Sequence, residues 1–158
     1  MNILLAVDGS ESSDAAVEAL ARRSLPEGTD VHVISVAEPP HFPETFVGGG
    51  GSVELNAEVE RSAHERAQTA VTRAVDMLRA GSRGVRLNVT AEVASGSPKR
   101  VILERAETTG ADLIVVRSHG RGMFDRFVLG SVSQAVALHA RCSVEIVRSR
   151  KVPATESE

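Results

Sequence analysis

The sequence predicts an α/β domain: an open, doubly wound, five-stranded parallel sheet with helices on both faces. Three observations predict it. Five short apolar runs are separated by stretches of helical periodicity, and strands alternating with helices close as parallel β-α units with right-handed crossovers. The first and fourth runs, residues 3–7 (ILLAV) and 111–116 (ADLIVV), are almost continuously apolar, as strands covered on both faces are. The chain has 158 residues, 42% of them apolar, which suits one globular domain with a sizeable core.

Each element has a local reason. After strand 3–7 come Asp8, Gly9 and Ser10. Ser10 suits a helix N-cap, with Glu11 favourable beside the positive helix end, and the helix runs to about Arg23. Ala16, Ala19 and Leu20 give it a narrow apolar face that can pack closely on a sheet. The Leu25-Pro26-Glu27-Gly28 break leads to a second strand at 31–36. Residues 38–52 hold three prolines and four consecutive glycines without apolar period, and read as a mobile surface loop inside one domain. The long helix that follows, about 54–79, keeps Leu55, Val59, Ala63, Ala67, Ala70, Val71, Ala74 and Leu78 on one face. Gly81 and Gly84 end it.

A third strand is expected at 85–93. Ser97-Pro98 opens the next helix, with Ser at the cap and Pro at the first helical position; Val101, Ile102 and Ala106 face inward and Gly110 closes it. After strand 111–116, the last helix spans about 131–140, where Ser131-x-x-Gln134 matches a capping box. The fifth strand is 144–147. The domain is expected to fill residues 1–150, with a disordered tail at 151–158.

Composition excludes several functions. Aromatic residues make up only 3%, without Trp or Tyr, so stacking platforms for bases or a flavin are poorly supplied. A formal charge of −3 disfavours a general nucleic-acid grip. The single cysteine, Cys142, rules out an internal disulfide and supplies no partner for a thiolate zinc site. No apolar run has the length of a membrane span, and Met1 leads almost directly into a strand without a signal-peptide pattern. A cytoplasmic protein, binding neither membrane nor nucleic acid, is expected.

Open α/β sheets bind ligands beyond the carboxyl ends of their strands, where the strand order switches. Asp8, Val36-Ala37 and the turn 117–122 lie at such ends. Gly120 is followed, nine residues later, by Gly130-Ser131. Glycine lets backbone approach an anion closely, and amides at a helix entrance receive phosphate. An ordinary strand-to-helix loop accounts for the same spacing equally well. Asp8 suits an Asx turn as readily as a ligand contact. His119 reads as an exposed loop residue, His139 and Cys142 as packing or capping residues. Arg121 and Arg126 add positive potential near the turn.

The segments ILLAVDGSESSDAAVEAL, ADLIVV, SHGRG and LGSVSQAVALHA resemble the universal stress protein family over nearly the whole chain. That family carries a motif of Gly, two residues, Gly, nine residues, then Gly followed by Ser or Thr. Gly120 and Gly130-Ser131 match it; Arg117 stands at the first glycine position. The resemblance implies strand order 3-2-1-4-5 in an adenine nucleotide alpha-hydrolase-like fold, dimerisation, and ATP binding in many members. By position, it places Ala6, Val7, Asp8 and the backbone of Val36 beside adenine and ribose, and residue 117 by the ribose. Gly120, Gly130, Ser131 and Val132 would hold the phosphates, with Arg121 and Ser133 flanking them. Mg²⁺ or Mn²⁺ would be held mainly by the phosphates, since the turn shows no carboxylate cage.

Two functions compete. One is a stress-response switch that binds ATP and hydrolyses it slowly at most, because no water-activating residue is evident. The other is a dimeric interaction protein of the same fold whose nucleotide site Arg117 has closed. In either, strand 143–148 alternates polar and apolar like a sheet edge able to pair with a second copy.

Overall fold

The computed structural model describes residues 1–39, 52–82, 86–118 and 129–148. Its elements are β1 (Asn2–Ala6), α1 (Glu11–Ala21), β2 (Asp30–Ala37), α2 (Ser52–Gly81), β3 (Asn88–Ser95), α3 (Pro98–Thr108), β4 (Leu113–Arg117), α4 (Ser131–His139) and β5 (Ser143–Val147). All strand pairs are parallel, in the order β3-β2-β1-β4-β5. The register places Ile3 between Val31 and Leu113, and Leu5 between Val33 and Val115.

Side chains alternate across this sheet and feed two cores. Ile3, Leu5, Val31, Val33 and Val115 meet Val17 and Leu20 of α1 and Val71, Ala74 and Leu78 of α2 on one face. Leu4, Ile34, Ile114 and Val116 meet Ile102 and Ala106 of α3 and Val136 of α4 on the other. Ile3, Leu4 and Leu5 are at most 1% exposed, so β1 is covered on both faces. Burying each such side chain contributes about 1.5–3 kcal/mol. Ion pairs between Arg73 and Asp14 (2.6 Å), and between Arg23 and Glu145, join α2 to α1 and α1 to β5 at the surface.

Most boundaries fall within two residues of the sequence expectation, and three of the differences have a clear cause. β3 covers Asn88–Ser95, displaced from 85–93, because its register follows β2 from Asp30↔Asn88 to Ala37↔Ser95. β4 starts at Leu113 instead of residue 111, because Ala111 still belongs to the end of α3. There the Gly110 amide donates to the Glu107 carbonyl and the Ala111 amide to Ala106, with Gly110 at φ +61°. This is the double bond pattern of a Schellman ending, which needs a left-handed residue. The N-cap of α4 is Gly130 and not Ser131, and no side chain caps that end. The loop expected at 38–52 and the tail fall largely outside the described residues, as do Gly120 and Arg121.

α2 is longer than the sheet it covers. Its 30 residues span about 45 Å, against about 26 Å for the eight residues of β2. Near one end of the sheet, Ala70 packs on Gly9: a Cβ at Gly9 would lie 3.3 Å from the Ala70 Cβ. At the other end a Cβ on Gly81 would lie only 2.6 Å from the Ala21 Cβ. The turns before Ala70 therefore stand above the carboxyl edge of the sheet.

The Gly81 contact fixes how closely α1 and α2 approach. Gly81→Ala is expected to destabilise the protein by about 1–2 kcal/mol, the overpacking outweighing any gain in helix propensity. Adding Ala21→Gly should recover most of that in urea denaturation, and failure to recover would mean the contact does not set the spacing.

Candidate nucleotide site

A cavity of about 420 Å³ opens at the carboxyl edge. Ala6 of β1 with Val7 and Asp8 just beyond it, residues 34–37 of β2 with Glu38 just beyond them, and Val116 and Arg117 of β4 form its floor. Ala63, Arg66 and Ala67 of α2 make one wall; Pro98 and Ile102 of α3 and Gly130 to Ser133 of α4 make the other. Of the residues expected from the sequence, the structure brings together Ala6, Val7, Asp8, Val36, Arg117, Gly130, Ser131, Val132 and Ser133. Gly120 and Arg121 lie outside the described residues.

The Asp8 turn explains the local sequence. Gly9 has φ +75°, where an L side chain is strained, and Ala70 leaves little room for one. Asp8 Oδ1 accepts from the Ser10 amide (3.1 Å) and the Ser10 hydroxyl (2.8 Å), which closes an Asx turn. Ser10 Oγ then accepts from the Ser13 amide (3.2 Å), capping α1. The Asp8 amide donates to Ser13 Oγ at 3.2 Å, and Ser13 is buried.

Arg117 joins this network from β4. Its Nη2 pairs with Asp8 Oδ2, and Nη1 donates to Ser10 Oγ at 2.9 Å. The Ser10 hydroxyl thus gives its single proton to Asp8 and accepts from two donors, which uses its full capacity. The Arg117 side chain is 15% exposed and extends to the start of α1. Its charge is paired with Asp8.

The opposite wall is built by the next residue. The Ser118 amide donates to the Val147 carbonyl (2.8 Å), and its own carbonyl accepts from the Gly130 amide (2.7 Å) and the Ser133 hydroxyl (3.1 Å). Ser133 Oγ also reaches the Gly130 carbonyl at 2.9 Å. The first amides of α4, from Ser131 to Ser133, have no acceptor within the helix and carry its positive end. Ser133 itself is buried, its hydroxyl turned to the backbone of the turn.

The sequence reading did not single out the α2 and α3 walls for the site. Ala63 and Ala67 share the apolar stripe of α2 and read as core; the length of the helix relative to the sheet is the signal that separates them. Arg66 donates to Ser62 in its own helix (2.9 Å) and makes no ion pair among the described residues. Glu38 is the remaining charged residue among those lining the cavity. Away from the cavity, His139 Nδ1 contacts the Ala135 carbonyl, and burial, with the Asp112 carboxylate adding to it, raises the Cys142 thiol above its ordinary pKa. A raised thiol is a poor nucleophile, which suits a packing role.

A doubly wound sheet with a cavity at its strand-order switch defines an α/β protein of the ligand-binding, open-sheet class. The profile of the Universal stress protein family matches residues 1–148, and the chain belongs to that family. A curated relative from Staphylococcus epidermidis that carries the universal stress protein name is 30% identical over 170 aligned positions, spanning 96% of this chain and 86% of the relative. The universal stress protein UspA from Lactobacillus plantarum superposes with TM-score 0.75 at 24% identity, over 94% of this chain and 97% of that one. A universal stress protein in complex with cAMP gives TM-score 0.61 at 22% identity, over 94% and 96% of the two chains. A family protein from Arabidopsis thaliana with AMP bound gives 0.64 at 15%, over 99% and 96%.

The Ser133 hydroxyl ties the start of α4 to the end of β4. Ser133→Ala is expected to lower stability by about 1 kcal/mol in urea denaturation, the usual worth of such a bond. An unchanged midpoint would show that the Gly130–Ser118 bond holds the turn by itself.

Proposed function

We propose that this protein binds an adenine nucleotide across the carboxyl ends of β1, β2 and β4, with its phosphates at the N-terminus of α4. It acts as a nucleotide-dependent stress-response switch, with slow hydrolysis at most. The observation that carries this reading is the single cavity shared by the ends of β1 and β2 and the start of α4. It offers an apolar slot between Ala63 and Ala67 on one side and Pro98 and Ile102 on the other, leading to the helix amides. The cAMP and AMP bound to the two family structures are ligands of the matching chemistry. The donor set fits a phosphate chain through backbone amides and the Ser131 hydroxyl; a divalent cation would ride on the phosphates.

The second reading, an interaction protein with a closed site, draws on Arg117, whose side chain occupies the crevice between β1 and β4. Calorimetric titration of nucleotide-stripped protein with ATP and Mg²⁺, AMP and cAMP separates the two. Saturable binding of one nucleotide per chain is expected. Gly130→Asp should weaken it by about 100-fold or more, by placing a carboxylate at the helix end. Gly130 has φ −60°, which aspartate adopts freely, so the loss reports charge. Absence of binding by the unaltered chain would favour the interaction protein.

We also place a homodimer contact at β5, within strand region 143–148. The Ser143 amide and the Val147 carbonyl bond toward β4, so the backbone groups of Val144 and Ile146 face the open edge. Leu138 on the neighbouring helix is 71% exposed. Ile146→Pro removes an edge donor without touching the β4 ladder, and is expected to convert a dimer to a monomer in sedimentation equilibrium. An unchanged mass would move the contact elsewhere.

A further inference from the structure

We propose that Ser35 reads the base of the bound nucleotide, its hydroxyl hydrogen-bonding the in-plane edge of the purine. This rests on the nucleotide reading and names the group that tells a ring with a polar edge from an apolar one. Ser35 lines the cavity and is 2% exposed. Ser13, Thr29 and Ser133 are as deeply buried, and each commits its hydroxyl within the protein. Ser13 Oγ accepts from the Asp8 amide, Thr29 Oγ1 donates to the Pro26 carbonyl, and Ser133 Oγ bonds the Ser118 and Gly130 carbonyls. Ser35 Oγ makes no hydrogen bond among the described residues. Nor is it sealed away: among those residues the buried side-chain polar atom without a partner is Arg105 Nε. The Ser35 hydroxyl therefore meets the cavity.

Its neighbours give this hydroxyl no packing role. Side chains alternate along β2, so Ser35 falls on the face of Val31 and Val33, toward α2. It pairs with Val93 of β3; on the other side Val7 continues β1, its amide bonded to the Ile34 carbonyl. Val7 belongs to the core of that face and Val93 packs against it. On the wall above, α2 offers Ala63 and Ala67. An apolar side chain would match all of these, whereas a buried hydroxyl without a partner lowers stability. Such local conflicts are kept where a ligand uses them. With the phosphates at the start of α4, the base lies over the end of β2, between the alanines of α2 and Pro98 and Ile102 of α3. Those walls touch the ring through its faces, without directional preference. A few placed polar groups orient a ligand in such a slot, and a hydroxyl can donate to a ring nitrogen or accept from an exocyclic amine.

The test is a cycle that deletes one partner from the protein and the other from the ligand. Wild type and Ser35→Ala are titrated with AMP, with purine riboside monophosphate, which lacks the exocyclic amine, and with AMP analogues in which carbon replaces one ring nitrogen at a time. The phosphate is the same throughout, so its contribution cancels. Ser35→Ala is expected to weaken AMP about fivefold, the loss of one neutral hydrogen bond. One analogue should be weakened to a similar extent in wild type and then bind both proteins within about twofold, which identifies the ring atom that Ser35 contacts. The urea midpoint of Ser35→Ala should stand at or above that of wild type, since a hydroxyl without a partner in the protein is removed. Ser35→Cys, close in shape and a weaker donor, replaces the alanine variant should that one fail to fold. Unchanged affinity for AMP would overturn the proposal, and with a fallen midpoint it would assign the hydroxyl to the protein's own interior. Equal weakening of every ligand, without coupling to any ring atom, would overturn it in favour of a change in cavity shape. Wild type that binds none of the series overturns the nucleotide reading itself, and this inference with it.

Discussion

β1 has neither an exposed face nor a free edge: it pairs with β2 on one side and β4 on the other, and both its faces are buried. In the buried middle of such a strand, at Ile3, Leu4 and Leu5, a polar side chain would be left without a partner in the apolar cores. Charged chemistry therefore has to begin where the strand ends, at Asp8. The chain leaves β1 for a helix on one face of the sheet and leaves the adjacent β4 for a helix on the other, so the backbones part at this point. The crevice between them follows from the topology, before any ligand is considered.

Two neighbouring residues hold the crevice open at a fixed width. Arg117 reaches toward α1 and bonds Asp8 and Ser10; Ser118 turns toward α4 and bonds Gly130 and Ser133. The end of one strand thus anchors the N-termini of two helices. The Asp8 turn is tied in the same way to α2, since Gly9, at φ +75°, lies against Ala70 with little room for a side chain. Binding groups and structural bonds share these few residues, so a ligand that shifts one of them bears on three helices.

Much of the fold was legible in the sequence because it rests on local patterns. The alternation of apolar runs with helical stretches, the Ser10 cap and the Pro98 start each depend on residues within a turn or two. What went astray depended on distant partners. The start of β3 is set by pairing with β2, and the start of β4 by the bond from Ala111 back to Ala106. The strand order came from the family resemblance, since periodicity does not say which strands are neighbours. Within the site, the glycine spacing marked the α4 end and the strand ends marked the floor. The Arg117 side chain could not be placed, because its partners Asp8 and Ser10 stand more than a hundred residues away in the chain. Nor could the α2 wall, because alanines that face a core and alanines that face a cavity look alike.

Among the described residues, the same arrangement bears on why the proposed site would hold a nucleotide more readily than it would turn one over. A general base must be free to accept a proton from water at hydrogen-bond distance. Both oxygens of Asp8 are engaged, one by the Ser10 groups and one by Arg117, and protonation would forfeit the ion pair that organises the turn. Glu38 lies exposed at the exit of β2. Backbone amides at the start of α4 can stabilise negative charge but cannot remove a proton from a nucleophile. Under the proposed nucleotide reading, occupancy is the signal and α1, α2 and α4 are the elements that would register it.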